Sequence, residues 1–220
     1  TLWTQANIAE VYGLSLVAAS LLTAMVLKAV DQRQARLLVA AAFVAGLGAT
    51  THLNQFLLWP GLLGFFIWRW PGGWRRGSMM GGSLAALGLG YSLVLYLPLR
   101  NGRGSAFHWS AVGDWSLWYD HLSGALYRSS FFALSGVALW HNAMRWLEQV
   151  YTEFQPWTLP LIVLGAVLVW RRDRGLGLVA GCGLAANLVM ALNYQRDPNG
   201  LGVFFLLGFW ALALYLGFGL

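Results

Sequence analysis

An all-α polytopic membrane fold, a helical bundle of about seven spans, is predicted by three observations. Of the 220 residues, 58% are hydrophobic and only 10% are charged, a balance that belongs to chains embedded in a bilayer. Long apolar runs alternate with short loops rich in arginine. One central stretch, residues 100–128, breaks the pattern by gathering three Arg, two His, two Asp and three Trp. The chain reads as one transmembrane domain, residues 1–220, with residues 100–155 as an extracytoplasmic, interfacial segment within it.

The first span covers residues 8–30 and runs into Lys28, Asp31, Arg33 and Arg36. The next apolar run, residues 37–68, is interrupted by Thr50-Thr51-His52-Leu53-Asn54-Gln55 and is followed by a second basic loop, residues 69–76. If both flanking loops are cytoplasmic, the run goes out and returns as a hairpin. Each arm then has about 15 residues, roughly 22 Å of helix against a hydrocarbon core of about 30 Å. The polar turn at His52 is therefore expected in a depression below the outer surface, where protein or water must satisfy it. A fourth span, residues 79–99, spaces Gly82, Ala86 and Gly90 four apart, a small-residue stripe suited to close helix packing. Residues 140–154 place Trp140, Met144, Leu147 and Tyr151 on one helical face, which predicts an interfacial or docked helix rather than a span. The fifth span starts at Pro156 and ends in Arg171, Arg172 and Arg174; a sixth covers residues 175–192; a seventh begins near Leu201.

Charge supports this order. The inner loops hold nine basic residues against two acidic ones, and the outer segments five against six, which together give the net +6. Basic residues concentrate on the cytoplasmic side, as the positive-inside rule requires. The same distribution excludes a nucleic-acid surface, because the positive charge sits in short inter-span loops. The single Cys182 cannot form an internal disulfide. The chain opens on Thr1-Leu2-Trp3 without a charged leader region and is expected to be an internal piece of a longer membrane protein.

On the outer side, Asp114 follows Gly113 and can N-cap a short helix carrying Trp115, Trp118, Leu122 and Ala125 on one stripe. His121 and Arg128 fall two turns apart on a neighbouring stripe. The alternation of spans brings Glu10, His52, Asn54, Arg100, His121, Tyr127, Arg128, Asn193, Tyr194 and Asp197 to that one side. Two arginines, Arg100 and Arg128, beside a depression suit a phosphate or pyrophosphate head group, because the guanidinium fork makes bidentate contacts to its oxygens. His121 or a carboxylate could orient or deprotonate an acceptor hydroxyl. Simpler readings compete. Glu10 suits a helix start, Arg100 and Arg128 could pair with Asp114 or Asp120, and His52 could be structural. Asn187, inside the sixth span, reads as an interhelical hydrogen-bonding residue. No Walker loop, dinucleotide-binding glycine motif, HExxH or Cys/His metal spacing is present, so no metal site is expected from the sequence.

Several motifs recur in an order that resembles one family. They are Trp3-Thr4-Gln5-Ala6-Asn7-Ile8-Ala9-Glu10-Val11-Tyr12, Gly46-Leu47-Gly48 through His52-Leu53, Tyr96-Leu97-Pro98-Leu99-Arg100, His121-Leu122-Ser123-Gly124 through Tyr127-Arg128, and Asn193-Tyr194 with Asp197. Together they resemble the bacterial family similar to animal transmembrane protein 260, a protein O-mannosyltransferase with a GT-C fold. The resemblance implies a membrane glycosyltransferase of the bacterial inner membrane that takes a sugar from a polyprenyl-phosphate donor on the extracytoplasmic face. Membrane lipids, the lipid-linked sugar and a protein acceptor are then the expected partners. The donor phosphate site would use His52, Arg100 and Arg128, and the catalytic or acceptor side Glu10, His121 and Asp197. The family also has an acidic motif that would lie upstream of Thr1, so this piece is expected to lack the principal catalytic acid. Two rivals remain at this point: a non-catalytic membrane subunit of a larger complex, and a transporter of lipid-linked or anionic solutes. A transporter should show a polar path across the bilayer, whereas here the polar residues gather on one face.

Overall fold

The computed structural model describes residues 11–101, 114–194 and 202–220. These residues are helical with short connections, and the extended pairing among them is an isolated bridge between Phe131 and Tyr194. Helix α1 is Val11–Asp31, α2 is Ala35–Thr51 and α3 is Trp59–Arg69. Helix α4 is Gly77–Tyr91, and α5, Tyr96–Asn101, continues its line after a 3₁₀ segment. The central segment contributes α6, Trp115–Leu122, and α7, Ala125–Arg128. Then come α8, Gly136–Phe154; α9, Leu159–Arg172; α10, Arg174–Leu192; and α11, Leu206–Gly219.

Three helices among the described residues are long and apolar enough to cross a membrane: Tyr12–Asp31, Gly77–Arg100 and Arg174–Leu192. A fourth is added only if α8 and α9, which meet at a bend of 88°, form one broken span. Ala35–Thr51 and Leu206–Gly219 are shorter apolar helices. Helices thus stand where spans were expected, but three of them, or four with the bent pair, are long and apolar enough to cross a membrane among the described residues, against the seven expected. In α2 and α3 the cause of the shortfall is the polar turn at His52, which splits one apolar run into two short arms.

The two arms reverse direction as expected. Arg69, at the end of α3, reaches Asp31, at the end of α1 just before α2 begins, so α3 returns to the side from which α2 starts; the two arms share the lining of a small apolar crevice of about 190 Å³. Most of the turn's polar side chains bond within the protein, although the buried Gln55 Oε1 has no hydrogen-bond partner among the described residues. Thr50 Oγ1 and Thr51 Oγ1 donate to Leu47 O and Gly48 O, each at 2.7 Å. Gln55, 2% exposed, donates through Nε2 to Ser15 Oγ at 2.7 Å and to Ser15 O, which pins the turn to α1. A polar turn within an apolar bundle is tolerated where protein or water supplies such bonds.

The stripe on α4 packs as its spacing predicts. A Cβ on Gly90 would strike Phe43 O, and one on Gly46 would strike Leu87 O, so α2 and α4 cross with their backbones in contact. A Cβ on Gly82 would sit 3.4 Å from Val39 Cγ2. On the other flank, α9 and α11 approach as closely, because Gly165 faces the carbonyl of Tyr215 and Gly219 that of Leu161. Asn187 is fully buried in α10; its Nδ2 donates to Phe204 O at 2.7 Å and its Oδ1 accepts from Gly208 N at 3.0 Å. That bond pair ties α10 to the start of α11, the interhelical role expected of it.

The three basic loops share one end of the bundle. Arg69, closing α3, reaches Asp31, closing α1. Gly175, opening α10, packs on the Phe65 ring in the last turns of α3. Arg76 stacks over Trp70, 5.3 Å from its centroid. Helix α8 lies across the opposite end. Its Trp140, Met144, Leu147 and Tyr151 are exposed on one face, while Val150 and Phe154 are buried, and the chain then turns through Gln155, at φ 58°, into α9.

Candidate functional site

The end of the bundle away from the basic loops holds a cleft of about 610 Å³. Its lining comes from chain stretches far apart in sequence: Tyr12 at the start of α1, His52 and Asn54 in the sunken turn, Tyr91 and Leu97 at the top of α4 and α5, His121, Ser123 and Arg128 from the central segment, and Tyr194 and Phe204 around the α10–α11 connection. The alternation of spans read from the sequence produces this convergence, since all of these positions end or begin a helix on the same side.

The central segment is built differently from the single helix expected. Asp114 does cap α6, accepting from Leu117 N and from Ser116 Oγ, each at 2.8 Å. These bonds, that to the Leu117 N–H first and that to Ser116 next, hold the Asp114 carboxyl below the usual carboxylate range. Trp115 and Trp118 stack edge to face at 5.3 Å. The helix then stops at Ser123, and Gly124 takes φ 63°, a left-handed conformation that ends helices. His121 and Arg128 are therefore not on one continuous helical stripe. The bend between α6 and α7 still brings both to the cleft.

His52 sits where α2 ends and the 3₁₀ segment Leu53–Leu58 begins. Its Nδ1 accepts a hydrogen bond from Asn54 N at 3.1 Å. An accepting Nδ1 carries no proton, so the ring is neutral and its proton is on Nε2. His52 is thus a hydrogen-bond donor at Nε2, held by backbone geometry in the cleft wall.

Arg128 is exposed and lines the cleft. Arg100 is exposed at the end of α5, one turn beyond Leu97, and is not part of the lining. Of the two arginines expected beside the cleft, Arg128 is the one in its lining. Among the described residues neither arginine pairs with Asp114 or Asp120; the ion pair found there is Arg69 with Asp31 at 3.3 Å. Glu10 and Asp197 lie outside the described residues. Asn193 turns back on its own helix, with Nδ2 donating to Val189 O at 2.8 Å. Among the described residues no group of three His, Cys, Asp or Glu side chains is placed to hold a metal ion.

Among the lining residues that the sequence did not single out are Phe131 and Phe204. Both looked like ordinary apolar residues beside a loop. Their shared position, immediately after an outer loop, was the signal that could have placed them in the cleft. Asn142 of α8 supports this corner, donating through Nδ2 to Leu192 O at 2.9 Å and Tyr194 O at 3.3 Å.

Residues 1–72 match the family model described as the N-terminal domain of protein O-mannosyl-transferase TMEM260. No curated protein and no solved structure matches the chain. The matched third contains Tyr12, His52 and Asn54 of the cleft, so the family likeness and the site geometry meet on the same residues.

Proposed function

We propose that this chain is part of a membrane glycosyltransferase of the O-mannosyltransferase type, with a GT-C-like bundle and a polyprenyl-phosphate sugar as donor. The observation that carries the proposal is the convergence of Arg128, His121 and His52, from separate elements, on one cleft at the end opposite the basic loops. The family likeness over residues 1–72 supports the class of reaction. With the basic loops cytoplasmic, the cleft faces the extracytoplasmic side, and α8, lying across the bundle, rests its Trp140 face in the lipid head-group region. A donor held by its lipid tail in the bilayer then presents its phosphate at the depth of the sunken turn.

In this reading Arg128 offers its guanidinium fork to the phosphate, and His52 Nε2–H donates to a second phosphate oxygen. The acceptor hydroxyl oxygen bonds to the anomeric carbon, the bond from that carbon to the phosphate oxygen breaks, and polyprenyl phosphate leaves with the electron pair. The proton of the hydroxyl passes to a base on the acceptor side. His121 is assigned to that side from its place in the cleft, and Glu10 and Asp197 from the resemblance.

The test is donor binding by the full-length protein. Arg128→Ala should weaken binding of a polyprenyl-phosphate sugar roughly a hundredfold, the equivalent of losing about 2.8 kcal/mol of charge-assisted hydrogen bonding. Arg128→Lys should recover only part of it, since an ammonium lacks the fork. Unchanged affinity in Arg128→Ala would remove the phosphate assignment.

A further inference from the structure

Five rings form an unbroken series of contacts along the cleft. Phe131 lies 4.7 Å from Tyr194, and Tyr194 lies 4.6 Å from Phe204. Phe204 lies 6.3 Å from His52, and His52 lies 5.3 Å from Tyr12. All five line the cleft, and each comes from a different place in the chain. Packing alone accounts for Tyr194, which is 3% exposed and wedged between its two phenylalanine neighbours. It does not account for the other four, which are only half-buried and border open cleft.

We infer, resting on the glycosyltransferase reading above, that this wall is the subsite for the sugar ring of the donor. A hexopyranose has a face of C–H bonds made slightly positive by the neighbouring oxygens, and an aromatic ring has a negative face. The two surfaces attract beyond simple apolar burial, through weak C–H contacts to the ring. A phosphate gains nothing from the phenylalanine and tyrosine rings of such a wall, and a polyprenyl tail would be served as well by leucine or valine. The division of labour follows from position. Arg128, His121 and Ser123 come from the central segment and supply charge and hydrogen bonds, while Phe131, Phe204 and Tyr12 supply ring surface. The carbon rings of the wall thus position the sugar and set selectivity for it, while His52, between Phe204 and Tyr12, also reaches the phosphate through Nε2.

The experiment measures binding of two probes, dolichyl phosphate mannose and dolichyl phosphate, to the full-length protein. Phe131→Leu and Phe204→Leu keep apolar bulk but remove the ring. Each should weaken the mannose-bearing probe about five- to tenfold, while the bare lipid phosphate changes by less than about twofold. Phe131→Tyr and Phe204→Trp should restore the difference. Tyr12→Leu, at the other end of the wall, provides a second reading should either phenylalanine be needed for folding. Equal loss for both probes would make the wall a tail-binding or purely structural surface, and no loss for either would make it irrelevant to binding. Each of those results overturns the sugar subsite and leaves the glycosyltransferase reading in place. A wild-type protein that binds dolichyl phosphate but shows no preference for the mannose-bearing form also overturns the subsite. A wild-type protein that binds neither probe overturns both.

Discussion

The Arg69 guanidinium meets the Asp31 carboxylate at 3.3 Å, joining the last turn of α3 to the last turn of α1. The two residues are separated by the whole His52 hairpin, so their contact requires that the chain has gone out and come back. Both side chains are about half exposed, so the pair marks the topology more than it stabilises it.

The first prediction concerns that topology. On a Cys182→Ser background, single cysteines at positions 75 and 119 should react with an impermeant reagent from opposite sides of the membrane. Position 75 belongs to the basic end and position 119 to the cleft end, and basic loops stay cytoplasmic. Labelling of both from one side would dismantle the arrangement of spans.

The α2–α4 crossing makes two glycines of one helix behave oppositely. A methyl group on Gly90 would strike the Phe43 carbonyl, whereas nothing lies within 4 Å of a Cβ on Gly88. Gly90→Ala should destabilise by about 1–3 kcal/mol through overpacking against backbone. Gly88→Ala should be neutral or stabilise by up to about 1 kcal/mol through helix propensity. Thermal unfolding of the purified protein in detergent distinguishes them, and similar effects at both positions would mean that the helices do not cross there.

Asn187 bonds the carbonyl of the cleft-lining Phe204 and the Gly208 N–H. Replacing it by Leu leaves both backbone groups without that partner inside the bundle, at a cost of about 1–3 kcal/mol for each group left unsatisfied. Hydrogen exchange at Gly208 should accelerate in Asn187→Leu while exchange in the middle of α2 stays unchanged. Uniform acceleration throughout the protein would instead mean global destabilisation.

Asp114 carries a pH dependence. Its folded carboxyl is held below the ordinary range by accepting from Leu117 N, then by Ser116, so it prefers the ionised form more in the folded protein than in the unfolded chain. The stabilisation of α6 is present above the unfolded pKa and is lost as pH falls through the lower, folded one. A spin label on α6 should become more mobile as the pH drops through that acidic window. Asp114→Asn, which can still cap, should abolish the pH response; persistence of the response would assign it to another group.

Much of this arrangement was legible in the residues. Apolar run length and the positions of arginine placed the helices and grouped the basic loops, because bilayer thickness and the cost of burying charge act on the chain locally. The His52 turn was readable for the same reason: 32 apolar-rich residues between two basic loops fit neither one span nor two full ones. Asp114 was readable as a cap because a cap needs only a side chain and the next three residues. The break at Gly124 was not, since glycine permits a left-handed turn without requiring one. Only the tertiary structure placed Arg128 in the cleft lining and left Arg100 out of it, because lining a cleft depends on how separate elements pack and not on the spacing of residues along one of them. The aromatic wall was settled there as well. Phe131 and Phe204 are 73 positions apart in the sequence, and no local pattern records that Tyr194 will stand between them. Their meeting depends on the packing of α8 against the end of α10, through the Asn142 bonds to Leu192 and Tyr194, a long-range contact with no signature in the spacing of residues.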